Sequence, residues 1–363
     1  MGTAAEAAFR CLPVVRAVLE RLPVEDLFSC ARYAELWELV AVEQLSEKLS
    51  FFVRLQDDFG HASSDRALVE ELRWRLCLAH KARREPASAI IFCSDKQYEA
   101  VSLASCFPDD TSVVQVFVPS PVSLQRRGVQ KRRAAGLCLL VLFERRPGTE
   151  LVSECLPGAP CLPRDDKSPL VAEFPNARRR RYRLTGKVTY RHRETGQPAR
   201  FALYASSAFS PATFRRPPSL YHVASSVLWT TGLKVLKHPP VDERGPPECW
   251  GTMLFGEKAR ATSIKYRASA TDLQLRDHLN RVQRNFGDVD NALVLFFQEE
   301  TVNIPTAEAI WTAFIGAPVV LGTAVDSLAL DVNLVPFNLE TREENASTHF
   351  LEKPVVVAVY GAN

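Results

Sequence analysis

The stretch LPVVRAVLERLPVEDLFSCARYAELW, residues 12–37, packs three short helical turns and two prolines into very little chain. Val14, Val15, Val18, Leu19 and Leu22 recur at helical spacing and set an apolar stripe on a first helix. Pro23 interrupts it. Proline lacks an amide hydrogen but fits the first turn of a helix, so Pro23 closes one helix and opens the next, with Glu25 and Asp26 near its positive end. Leu27, Phe28 and Ala31 give this second helix its own stripe, and a third, from about Ala34, carries Leu36, Trp37, Leu39 and Val40. So small a group can hardly cover two sides of its helices, and an apolar face is expected to be left for docking. The plainer alternative is a set of ordinary amphipathic helices that cap the rest of the chain.

Outward from this head, the chain of 363 residues has room for one large domain or two to three ordinary ones. With 46% hydrophobic and 24% charged residues it has the profile of a soluble globular protein, and a formal net charge of +3 implies no global attraction to nucleic acid or anionic membrane. The nine cysteines lack a framework spacing, which fits reduced thiols better than a disulfide scaffold. The start MGTAAEAAFRCLP lacks the basic opening and long apolar core of a signal peptide, and no apolar run approaches the ~20 residues of a membrane span. A cytoplasmic or nuclear location is the expectation, in which the sequon Asn345-Ala346-Ser347 would be silent.

A short strand or extended linker is expected within residues 43–59, followed by a helix from Ser64 or Asp65 that ends before Pro86, with Leu68, Leu72, Leu76 and Ala79 on one face. Beyond it the period changes. SAIIFCS (88–94), TSVVQVFVP (111–119) and GLCLLVLFE (136–144) read as buried strands of one sheet, with a helix expected over 98–106. Residues 156–198 turn rich in Pro, Arg, Asp and Gly and read as an inserted loop with a hairpin near YRLTGKVTYRHRETG. A strand at 200–206 precedes a helix capped by Ser219, on Leu220, Val223, Ala224, Val227 and Leu228, and a strand after Gly232. CWGTMLFG (249–256) and ARATSIKYR (259–267) read as a hairpin around Glu257 and Lys258. A helix from Thr271, strand 291–298, a helix from Thr306, strand 317–323, the run DVNLVPF and a last strand over 353–361 complete the chain.

Leu22, Pro23, Asp26, Leu27 and Trp37 stand in the order and spacing of an F-box, which residues 12–37 resemble; Tyr33 and Ala34 stand where the family usually has Val-Cys. The segments ECWGTMLFGEKARATSIKYR, LRDHLNRVQRNFGDVDNALVLFF and AEAIWTAFIGAPVVLGTAV resemble a FIST domain, although GTAVDSLALD departs from that family's glycine-rich acidic turn. These resemblances imply an α/β chain: a small N-terminal three-helix F-box-like unit followed by a two-lobed α/β FIST-like domain with mixed sheets. The expected divisions are a helical unit at 9–55, a linker helix at 56–86, an N-terminal lobe at 87–260 with the insertion 156–198, and a C-terminal lobe at 261–363. The implied role is a non-catalytic substrate receptor of an SCF-type cullin-RING ubiquitin ligase, with Leu22, Pro23, Leu27, Phe28 and Trp37 at the small adaptor subunit and a protein substrate on the FIST-like part. The alternative is an intracellular small-ligand sensor with the helices as a structural cap.

Catalytic signatures do not emerge. Phosphate loops, paired CxxC motifs and HExxH are absent, and no cofactor or metal is implied. Cys155 and Cys161 are spaced too loosely for a usual structural zinc site, and Cys93 reads as a buried strand cysteine before a nucleophile. Basic runs at 81–84, 126–133 and 178–181 read first as solvated charge, then as nuclear import signals or a surface for an acidic partner, with nucleic acid last. Trp229, Trp250 and Trp311 are expected in the core.

Overall fold

The computed structural model describes residues 10–56, 62–95, 98–118, 121–125, 136–143, 150–156, 170–173, 178–180, 183–185, 189–197, 199–206, 224–229, 233–237, 249–256, 259–267, 293–299, 319–325, 327–329 and 354–362, with positions 273, 276, 277, 280 and 284 in a helix. The head holds α1 (Leu12–Leu19), α2 (Val24–Cys30) and α3 (Glu35–Lys48). Pro13 sits in the first turn of α1 and Pro23 is the N-cap of α2, with Glu25 and Asp26 in its first turn.

The strands then keep to a repeated plan. A first unit contains β1 (Phe51–Gln56), α4 (Ala62–Lys81), β2 (Pro86–Cys93), the short α5 (Val101–Ala104), β3 (Ser112–Phe117), β4 (Pro121–Gln125) and β5 (Leu137–Phe143). Its sheet runs β1-β5-β2-β3 and is closed by β13 (Leu233–Lys237). A second sheet runs β6 (Glu150–Leu156), β14 (Cys249–Phe255), β11 (Phe201–Ser206), β12 (Ala224–Trp229), closed by β18 (Ser327–Ala329). A third runs β15 (Ala259–Arg267), β19 (Pro354–Ala362), β16 (Leu293–Glu299), β17 (Val319–Val325), closed by β4.

In chain order each unit's own strands lie 1-4-2-3, and in each of these three sheets the successive pairings are antiparallel, antiparallel, parallel and antiparallel. The closing strand is always borrowed. The second unit lends β13 to the first, the third lends β18 to the second, and the first lends β4 to the third. The described residues thus form a threefold internal repeat of five-stranded mixed sheets with cyclic strand exchange.

The first sheet is apolar on both faces, which is why its strands read as continuous hydrophobic runs. Val53, Ile90, Phe92, Val114, Val116, Cys138 and Leu140 face one way and meet Leu151, Leu203, Trp250 and Leu254 of the second sheet and Leu293 and Leu295 of the third. Trp250 Nε1 donates to Ser112 Oγ at 2.9 Å across this core. The alternate residues Phe52, Ala89, Ile91, Cys93, Val113, Leu139 and Val141 pack with α4, α5 and the head.

β1 is hydrogen-bonded to β5, and α4 packs on the first sheet. Two expectations are corrected here. Residues 224–229 form a strand in place of the expected helix: six parallel ladder positions with β11 override a helical spacing that a short apolar run cannot distinguish from a strand. Residues 249–267 are not a hairpin, because β14 pairs with β6 and β11 while β15 pairs with β19 in another sheet. Gly256, with φ at 113°, supplies a backbone conformation between them that other residues rarely adopt. The helix from Thr306, Trp311 and the run DVNLVPF lie outside the described residues.

Candidate partner-docking site on the helical head

The head divides its apolar residues between two sides. Val15 and Leu19 of α1, Leu27 and Phe28 of α2, and Val40, Ala41 and Leu45 of α3 are all buried in the cluster that includes α4 and the outer face of the first sheet. Phe28 meets Phe52 of β1 edge-on at 5.6 Å between ring centroids, and Phe52 meets Phe143 at 5.7 Å. Leu27 and Phe28, expected at an adaptor interface, are therefore committed to the chain's own core, at 0% and 2% exposure. The reason is β1: it supplies an aromatic edge that a free helical head would lack. Leu22, Pro23 and Trp37 are half-buried. Leu22 and Trp37 lean on the same cluster, and Tyr33 lies edge-on to Trp37 at 6.1 Å.

A buried guanidinium fastens the head. Arg75 of α4 donates from Nη1 to Glu25 Oε2 at 2.7 Å and from Nε to Glu71 Oε1 at 2.8 Å, and lies over the rings of Phe28 and Phe52 at 4.9 and 5.3 Å. Burial opposes its charge, but the two carboxylates outweigh burial and hold its pKa above the ordinary value. Burial likewise pushes the Glu71 carboxyl up, and Arg75 with Arg32 more than reverses it, leaving it below the usual carboxylate value. Glu25 Oε1 also accepts from the Val53 amide of β1 at 3.4 Å, and Arg84 donates to the Leu49 carbonyl at 2.8 and 3.1 Å. The head thereby covers an edge strand, a usual protection against stray strand pairing.

The other side of α1 is partly exposed. Leu12, Val14 and Val18 are each 39% exposed, and Pro13, Val14, Ala17, Val18 and Arg21 line a shallow depression of about 610 Å³. A second cleft, of about 570 Å³, lies between Arg32, Glu35 and Glu38 on one side and Trp74 on the other, with the Arg32 guanidinium 5.6 Å from the Trp74 ring. Val14 and Val18 belong to the same periodic stripe as Val15 and Leu19, so spacing alone does not show which half faces outward.

No protein-family model matches the sequence, and no curated protein matches it.

The chemistry-bearing side chains sit apart from the head's outer side. Cys93 is buried, its thiol donates to the Asp95 carbonyl at 3.2 Å, and burial pushes its pKa up to about 11. Burial raises the Cys138 thiol further. A thiol held protonated is a poor nucleophile at neutral pH. Cys161 lies outside the described residues, as does the side chain of Cys155. Among the described residues, no group of three or more His, Cys, Asp or Glu could hold a metal, and no helix is long and apolar enough to cross a membrane.

Proposed function

We propose that this chain is the substrate-recognition subunit of an SCF-type cullin-RING ubiquitin ligase, acting in the cytoplasm or nucleus without chemistry of its own. The helical head engages the small adaptor subunit and through it the cullin, and the strand-rich part recruits a protein for ubiquitination and proteasomal degradation. The observation that carries this reading is the outer side of α1, where Leu12, Val14 and Val18 are each 39% exposed on a head whose opposite side packs against the chain's own sheet. Apolar anchors at the centre of such a contact carry most of its energy, so Val14→Asp with Val18→Asp should weaken adaptor binding by about 2–4 kcal/mol. A pull-down of purified chain with adaptor and cullin reads the effect. Full binding by a folded double variant overturns the reading.

A second reading is favoured by the head's other side: its contacts with α4 and β1 make it a cap of the first sheet. On that reading the strand-rich part senses a small ligand, and stabilisation in a thermal-shift screen of amino acids and related metabolites is the expected outcome. No stabilisation alongside retained adaptor binding would leave the receptor reading alone.

A further inference from the structure

The three repeat units differ in what joins their first and second strands. In the second unit the connection holds two nested antiparallel pairs, β7 (Leu170–Glu173) with β10 (Thr189–His192) and β8 (Arg178–Arg180) with β9 (Arg183–Thr185). In the third it includes helical positions between 273 and 284. In the first it is α4, and α4 is the element on which the head is seated.

α4 meets the head at successive points along its length. Glu71 pairs with Arg32 in the turn between α2 and α3, Arg75 with Glu25 of α2, and Lys81 with Glu38 of α3, while Arg84, just past the helix, donates to the Leu49 carbonyl where α3 ends. These ties differ in weight. Arg32 and Lys81 are half-exposed, so water screens their pairs and each contributes little. Arg75 is 4% exposed and joins the two sides where screening is weak.

The apolar core does not break at this junction. Leu27, Phe28 and Leu45 of the head share one cluster with Leu72 of α4, Ile91 of β2 and Leu139 of β5. Rings run through it from Phe28 of α2 to Phe52 of β1 and on to Phe143 of β5. Lifting the head would uncover apolar surface on both sides at once, and would strip Glu25 from the Val53 amide at the edge of the sheet. A junction that is apolar and continuous with the core does not have the play expected between separate domains.

We infer that α4 joins the head and the first sheet into a single cooperative unit, so that the head is a fixed mount and a partner held on α1 is presented at one angle to the strand-rich part. Opening of the sheet then requires opening of the head. Linkage makes the effect reciprocal: whatever binds the closed head also stabilises β2 and β5, which lie beneath the head's buried side. The identity of that partner rests on the adaptor reading, whereas the cooperative unit does not.

The test is native-state amide exchange of the full chain, under conditions in which reclosing outpaces exchange. Leu19→Ala removes buried apolar atoms from α1 alone. The head amides of α2 and α3 and the sheet amides of β2 and β5 should all exchange faster by the same factor, roughly thirtyfold or more. Val15→Ala gives the same comparison at a smaller factor if Leu19→Ala folds poorly. Acceleration confined to the head, with β2 and β5 as slow as in wild type, overturns the inference. Adaptor at about 100 times its Kd should slow both sets of amides about a hundredfold. Slowing of the head amides alone overturns the inference too, whereas no slowing of any amide counts against the adaptor reading and leaves the variants to decide the cooperative unit.

Discussion

Arg75 is the residue on which the junction between head and sheet turns. It joins Glu25 of α2 to Glu71 of α4 and is flanked by one ring from each side of the junction. Removing one member of a buried pair leaves the other unpaired, so Arg75→Met should cost about 3–5 kcal/mol in denaturant unfolding. Glu71 has a depressed pKa in the folded state, so its contribution is present above the ordinary carboxylate value and is lost as pH falls through the folded one. Acid titration of wild type should therefore show a loss of stability below about pH 4.5 that Arg75→Met shows less strongly. The cysteines give a second residue-scale outcome. Exposed Cys11 and Cys77 should be alkylated rapidly in the native protein, whereas buried Cys93 and Cys138 should react only on unfolding, as mass spectrometry can count.

At the scale of the element, α1 is a helix with two apolar sides put to different uses. Val15→Asp should unfold the head because it places a charge in the sealed core, while the adjacent Val14→Asp should change stability by no more than about 0.5 kcal/mol. Comparing the two thermal midpoints, with adaptor capture measured on the same proteins, separates packing from docking.

Elements of this kind also show what is legible in the sequence. The runs that form β2, β3 and β5 can be recognised because both their faces are buried, which makes them continuously apolar. The prolines and acidic first turn place α1 and α2. The borrowed strands β4 and β18 escape recognition, since an edge strand of three to five residues paired on one side leaves almost no periodic trace. Phe28 reads as an anchor in the sequence because its partners, Phe52 and Arg75, are distant in the chain and nothing local announces them.

For the whole molecule, the cyclic exchange of strands means that no unit is complete without another. A chain that lacks 121–125 has lost the strand that closes the third sheet, although that sheet's own strands begin at Ala259. Amide exchange at 319–325 should then accelerate to the rate of an open edge, while β2 and β5 remain protected. Unchanged exchange in β17 would show that the borrowed strand contributes nothing there. The interdependence of the three sheets is not legible in the sequence, because a closing strand pairs at a distance that neighbouring sequence cannot reveal.

The lending of β4 forward and β13 backward also bears on what a protease could do. A single cut between Phe143 and Glu150 would leave two pieces, each holding a ribbon of the other within its sheet. Under native conditions they should stay clasped and migrate as one body, and denaturant would be needed to part them.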